Sequence, residues 1–380
     1  MRIAFVDCGG WSYGLDAPFK RPMGGTESAL CYLAVELARL GHAITVYNGT
    51  PAPTESCNVD LRNVHDILSP GHLNAFDAVV ALSAAIGRSL RRDYRVTVPM
   101  VLWTQHAYAQ PAIRELSRLN ERKCWTAFAF VSNWQRERYE KFFWIPREKG
   151  RVLRNAVSPA FAAGSERAPW FTTGGPPVLF YTSTPFRGLD VLLKAFPAIR
   201  SAVAGTRLRV FSSMGVYQIP PEKDEYRDLY DRCRATDGVE YVGSVGQSRL
   251  AEELAGGAAL AYPSTFAETS CIAVLEAMAL GAAVFATRLG ALPETSGGLA
   301  SMIDWQSDEI VLAGQFADMA IEALRLMRSN PAAAEAQRRE RIKFIHDNYL
   351  WPARANEWAA WLAQLSTGKT GPAPALTTPR

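Results

Sequence analysis

Between Ala258 and Pro293 the chain passes from strand to loop to helix to strand, and its apolar runs are broken chiefly by two carboxylates. Ala258–Tyr262 is a short apolar run that ends in a Pro-Ser-Thr turn, which reads as a buried strand. Glu268 follows in the loop, Glu276 stands about two turns inside an apolar helix, and Ala283–Thr287 is a second apolar run. Two buried strands joined through one helix form a βαβ unit, whose crossover is right-handed and whose strands are parallel. The expected class is therefore α/β.

The two carboxylates lie eight positions apart across a loop-to-helix junction. Both can face a ligand lying over the helix N-terminus, where the free backbone N–H groups of Thr269, Ser270, Cys271 and Ile272 point at an anion. Amides for phosphate and carboxylates for hydroxyls suit a sugar on a diphosphate. A lone pair of this kind also fits a plain helix cap with a solvated glutamate. Here Val274, Leu275, Ala277 and Met278 surround Glu276, so it is expected to be buried, and a buried carboxylate needs a partner.

The same alternation runs through the rest of the chain. Arg2–Val6 is a strand and 7–25 a loop rich in Gly, Pro and aromatics. A helix from Thr26, read as its N-cap, presents Leu30, Leu33, Leu37 and Leu40 as a core stripe, and Ala43–Tyr47 is the next strand. Gly24 and Gly25 at the helix start let backbone approach a ligand. No GxGxxG is present, which disfavours a dinucleotide-dependent dehydrogenase. Ala78–Leu82, Met100–Trp103, Phe128–Val131 and Val152–Leu153 continue the strands. Thr104, Gln105, His106 and Tyr108 fall at a strand's carboxyl end, where open α/β sheets bind ligands. A single His there reads equally as a structural residue or a ligand contact.

Residues 158–177 lose periodicity and read as a linker. Strands then resume at Val178–Tyr181, Arg207–Phe211, Val239–Val242, Ala258–Tyr262, Ala283–Thr287 and Ala300–Ile303, with helices between them. The pattern predicts two doubly wound, Rossmann-like domains facing a cleft: 1–165, and 175–348, which carries the two carboxylates. A helix at about 351–365, carrying Trp351, Trp358 and Trp361, is expected to pack back on the first domain, and 366–380 to form a disordered tail.

Composition narrows the function classes. The chain has 380 residues, 48% hydrophobic and 21% charged, with a net charge of +4, and is expected to form a soluble two-domain protein. Arg91, Arg92, Arg95 and the cations of 134–154 tilt the first half basic, which suits anionic substrates or an acidic membrane surface more than nucleic acid. Six scattered Cys and five His form no metal-spaced cluster, so neither disulfides nor a metal cofactor is expected. No signal segment or membrane span is read, giving a cytoplasmic protein, at most peripheral to the inner face of the membrane.

The ordered set of motifs resembles the retaining glycosyltransferases of family 4, which have the GT-B fold. It comprises GGTESALCYLAVELARLGHAITVY, YTSTPFRGLDVLLKAF, VEYVGSVGQSRLAEELAGGAALAYPS and FAETSCIAVLEAMALGAAVFAT. The resemblance implies that Glu268 holds hydroxyls of the donor sugar, with the amides of Ser270, Cys271 and Ile272 on its sugar and phosphates. It implies that Glu276 holds the ribose, that Arg187 neutralises the diphosphate, and that Gly24 and Gly25 close on the phosphates. His106 would contact the transferred sugar, and the 244–247 loop with Val245 would receive the base. The family's second cation is replaced by Ser183-Thr184, and its Gly-aromatic-Gly by Thr269-Ser270-Cys271. The activity so implied is metal-independent transfer of a hexosyl or N-acetylhexosaminyl group from a UDP-sugar, or GDP-mannose, to a glycan, lipid, protein or small molecule. An epimerase on the same fold and a non-catalytic nucleotide-sugar binder are the alternatives. In the loop 7–23, Trp11, Tyr13 and Phe19 could stack an acceptor ring or pack as core.

Overall fold

The computed structural model describes residues 1–163 and 167–368. Within these residues fourteen strands form two sheets. The first holds β1 (Arg2–Asp7), β2 (Ala43–Asn48), β3 (Thr54–Ser56), β4 (Val59–Asn63), β5 (Ala78–Leu82), β6 (Met100–Trp103), β7 (Ala127–Phe130) and β8 (Gly150–Val152), in the order β3-β4-β2-β1-β5-β6-β7-β8. The second holds β9 (Val178–Thr182), β10 (Arg207–Phe211), β11 (Val239–Tyr241), β12 (Ala259–Tyr262), β13 (Ala283–Arg288) and β14 (Ser301–Asp304), in the order β11-β10-β9-β12-β13-β14. All neighbours are parallel except β3 and β4. Helices cover both faces, which is why the central strands read as unbroken apolar runs. In β1, Ile3 and Phe5 enter the core on one face, and Ala4 and Val6 the core on the other.

Strand order reverses beside β1 in the first sheet and beside β9 in the second. At such a point the crossovers leave in opposite directions and a crevice opens beyond the strand ends. The carboxyl ends of both sheets line one cleft between them.

Several expectations need correction. The first long helix is Gly25–Arg39 with Gly24 as N-cap, so Thr26 lies inside it. Leu30, Leu33 and Leu37 are buried, but Leu40 is the C-cap and 43% exposed. Strands β3 and β4 were not anticipated, because their few polar residues carry no apolar run at this sheet edge. Most other boundaries shift by one or two residues, as terminal hydrogen bonds rather than composition set them. The segment expected to be a bare linker holds short helices at Pro159–Ala162 and Trp170–Thr173, and Trp170 and Phe171 are buried in the second core. The helix Trp351–Ser366 returns to the first sheet, where Trp358 meets Trp103 edge-on at 5.1 Å. Ser366 ends that helix rather than beginning a tail, and 369–380 and 164–166 lie outside the described residues. Among the described residues no helix is long and apolar enough to cross a membrane.

Candidate functional site

The cleft is a cavity of about 560 Å³. Its second-sheet wall is built from the ends of β9 and β10, the loop after β12 and the start of the helix Ile272–Ala279. Cys271 is the helix N-cap without a side-chain hydrogen bond. Among the described residues, the amides of Ser270, Cys271 and Ile272 meet no acceptor, so three donors at the positive helix end face the cleft.

Glu276 is 3% exposed, lines the cavity, and its Oε1 has no hydrogen-bond partner. Burial pushes its carboxyl up to about 8, and the nearby Gln247 side chain pulls the other way. Such a carboxyl is costly unless a donor arrives. Glu268 is in the opposite condition. Arg187 Nη1 donates to both its oxygens at 2.8 and 2.9 Å, and the Tyr262 hydroxyl donates at 2.5 Å. The Arg187 guanidinium also lies over Phe266 at 4.6 Å and Phe186 at 5.5 Å. Burial works against its charge, but Glu268 and Tyr262 hold it firmly protonated. The residues drawn separately as sugar and phosphate contacts are thus one ion pair.

Among the described residues lining the cleft, Arg187 is the single Lys or Arg. No second cation replaces the one absent from the sequence. Hydroxyls stand there instead: Thr182 and Thr184 have buried, unpartnered Oγ1 atoms, and Ser183 Oγ lies 3.2 Å from the Tyr262 hydroxyl. Val245 is half-buried beside Gly246, the N-cap of the helix Gln247–Leu254, whose Gln247 Oε1 is also unpartnered. Among the described residues no group of three or more His, Cys, Asp or Glu is placed to hold a metal ion.

The first-sheet wall carries Gly24, Gly25 and His106. Gly24 is the buried N-cap of its helix, and a Cβ on Gly25 would sit 3.1 Å from Ile272 Cδ1 across the cleft. The His106 carbonyl accepts from Gln135 Nε2 at 2.8 Å and the Tyr139 hydroxyl at 2.9 Å, which fixes the loop. Its Nδ1 is buried without a partner. Burial, then the charge of Arg187, depresses its pKa, so the ring is neutral at pH 7. Thr269 donates its hydroxyl to the Gln105 carbonyl at 2.8 Å, and so ties the two walls together.

Several cleft residues escaped the sequence reading. Gln135 and Tyr139 position His106 from a helix that looked merely polar. Asp7, Glu27, Ser83 and Tyr217 line the cavity from loops and helix starts whose spacing carries no motif. In the aromatic loop the alternatives divide: Tyr13 is buried and donates to Asp7 at 2.6 Å, and Phe19 packs on Tyr32, whereas Trp11 lines the cleft.

Residues 176–329 match the family described as glycosyl transferases group 1. No curated protein matches the sequence. Among solved structures, sucrose-phosphate synthase from Thermosynechococcus elongatus aligns with TM-score 0.69 at 15% identity over 97% of this chain and 99% of that one. A glycosyltransferase from Rickettsia africae gives TM-score 0.69 at 15% identity over 96% and 98%. The Anabaena protein HepE in complex with UDP-glucose gives TM-score 0.67 at 13% identity over 96% and 100%. The likeness is one of fold: two Rossmann-like domains in the GT-B arrangement, along nearly the whole chain.

Proposed function

We propose that this protein is a retaining family 4 glycosyltransferase that moves a hexosyl or N-acetylhexosaminyl group from a nucleotide sugar, preferably a UDP-sugar, to an acceptor hydroxyl. The observation that carries this reading is the cleft itself. A buried carboxyl with an unpartnered oxygen, a half-buried guanidinium and free helix-end amides share one wall at a topological switch point. The group 1 match over that wall supports the same reading, as does the likeness to a structure binding UDP-glucose.

In this scheme the ribose hydroxyls donate to Glu276 and relieve its desolvation. The diphosphate lies against the amides of Ser270, Cys271 and Ile272 and draws the guanidinium of Arg187. As the anomeric C–O bond breaks, the new phosphate charge develops where fixed N–H groups already point, which lowers the barrier without reorganisation. The hydroxyls of Thr182, Ser183 and Thr184 supply the polarity that a second cation would provide. Glu268 accepts hydroxyls of the sugar while Tyr262 and Arg187 fix its rotamer. Neutral His106, free at Nδ1, accepts from or donates to the sugar according to its tautomer. The scheme uses no covalent nucleophile. The acceptor attacks on the face from which the diphosphate departs, and the departing phosphate takes its proton. The reaction needs no metal, since the cation and amides already oppose the charge.

Proton NMR of the reaction with a UDP-sugar tests this. The expected product keeps the donor's anomeric configuration, with one UDP released per bond formed and no effect of EDTA. An inverted product, or UDP release abolished by EDTA, overturns the mechanism as drawn.

A further inference from the structure

The first-sheet side of the cleft has a charge pattern that restricts what it can accept. Asp7 closes β1, and its register partner on β5 is Leu82, so Ser83 stands directly beside it at the strand ends. Glu27 enters from the first turn of the Gly25–Arg39 helix and lines the same cavity as Asp7, and its carboxyl is raised by burial and then by the charge of Asp7. Asp7 accepts from the Gly9 amide at 2.8 Å and from the Tyr13 hydroxyl at 2.6 Å, one on each oxygen, which leaves a lone pair on both. No hydrogen bond from another residue reaches the Glu27 carboxylate among the described residues.

Ser83 is the independent sign of a ligand here. It is 8% exposed, it lines the cavity, and its Oγ is shielded without any hydrogen-bond partner. Its backbone sits at φ 59°, a left-handed conformation that a non-glycine residue adopts at a cost. The amide donates to the Trp103 carbonyl at 2.9 Å, which holds the strained turn in place. A strained serine with an unspent hydroxyl beside two acids makes a hydrogen-bonding pocket. Across its mouth Trp11 meets Tyr217 of the opposite wall, ring centroids 6.3 Å apart, and offers an aromatic face.

We propose that this pocket is the acceptor subsite and takes a sugar ring free of phosphate and carboxylate groups, with Asp7, Glu27 and Ser83 binding its hydroxyls. The inference rests on the transferase reading above. Above about pH 7, where Glu27 gives up its proton, the two carboxylates accept from hydroxyl or ammonium donors and repel an anion in a cavity that shields them poorly. The wall supplies no compensating cation, because the single guanidinium of the cleft sits opposite and is bound to Glu268. The acceptor class therefore differs from a sugar phosphate even though the fold is that of a sucrose-phosphate synthase structure.

Saturation-transfer NMR at pH 8, where Glu27 is ionised, on the protein saturated with UDP tests the pocket, using methyl glucoside, methyl mannoside, glucosamine, glucose 6-phosphate and glucuronate as probes. The neutral and amino sugars are expected to show transfer, and the two acidic sugars none. Glu27→Gln should weaken the neutral sugars about tenfold or more, since a hydrogen bond to a charged group is lost. In that variant the UDP-induced rise in Tm is expected to persist, which also shows that it is folded. Glu27→Lys should admit glucose 6-phosphate. Preference of the wild type for the acidic sugars, or transfer to none of the unphosphorylated ones, overturns the proposal while leaving the donor site intact. Absence of any UDP-induced rise in Tm instead removes the transferase reading, and the proposal falls with it.

Discussion

Glu276 concentrates the residue-scale chemistry, because it is a buried acid whose Oε1 meets no hydrogen-bond donor. The folded chain keeps its proton up to about pH 8, whereas an unfolded glutamate releases it near 4.5. Between those values the folded state binds more protons than the unfolded one, so stability falls as pH rises. Each unit is worth about 1.4 kcal/mol, and the cost at alkaline pH is several kcal/mol. Ribose hydroxyls that donate to the carboxylate reverse the preference and expel the proton on binding. Nucleotide affinity is therefore expected to rise up to about tenfold per pH unit as pH approaches 8, and then to level off. Isothermal titration with UDP between pH 6 and 9 measures this. Glu276→Gln is the control, since Glu27 and His106 also titrate in the cleft: it should bind weakly and lose most of the slope. A wild-type slope that survives in Glu276→Gln would assign the proton to another group.

At the scale of elements, the loop between β9 and its helix sets Arg187. Gly188 caps the helix Leu189–Ala202 at φ 107°, and a Cβ there would lie 2.2 Å from the Pro263 carbonyl oxygen at the end of β12. Only glycine allows this approach, and the approach holds Arg187 over Phe266 and against Glu268. Gly188→Ala is expected to cost several kcal/mol, well above the roughly 1 kcal/mol of an ordinary glycine replacement, and to lower Tm in a thermal melt. Unchanged Tm would mean that the loop relaxes freely. This contact also marks how far sequence reaches. The strand-helix-strand order around Glu268 and Glu276 was legible because parallel strands buried on both faces must be apolar throughout. The Arg187–Glu268 pair was not, since it joins two loops through a backbone approach that no spacing records. Asp7, Glu27 and Ser83 were missed for a related reason. Each follows from where a strand or helix ends in space, and Ser83's left-handed backbone has no sequence signal. Strands β3 and β4 were missed because edge pairing asks little of side chains.

Across the whole molecule, one carboxylate of the second domain caps a helix of the first. Glu294 accepts from the amides of Asn133 and Trp134 at 3.0 Å each and from Asn133 Nδ2 at 2.9 Å, with Arg154 at 3.4 Å. The positive end of the helix Asn133–Phe143 thus joins the two walls, as the Thr269–Gln105 bond also does. Glu294→Ala is expected to increase the radius of gyration in small-angle scattering without UDP, and to lower turnover by delaying closure. A scattering curve identical to wild type would make this contact incidental to closure. The two-sheet plan was foreseeable from the periodicity, but this clasp was not, because Glu294 and Asn133 are 161 residues apart and neither belongs to a motif.

The donor site is tested most directly by a thermal-shift series with UDP-, GDP-, ADP- and dTDP-sugars, with and without EDTA, on the wild type and Glu276→Ala. A ligand that binds only the folded state stabilises it by about 2.7 kcal/mol at a hundredfold excess over Kd. A UDP-sugar is expected to raise the wild-type Tm to the same extent with EDTA present, and the variant's Tm far less. No shift with any nucleotide sugar, or an equal shift in Glu276→Ala, would contradict the donor site built here.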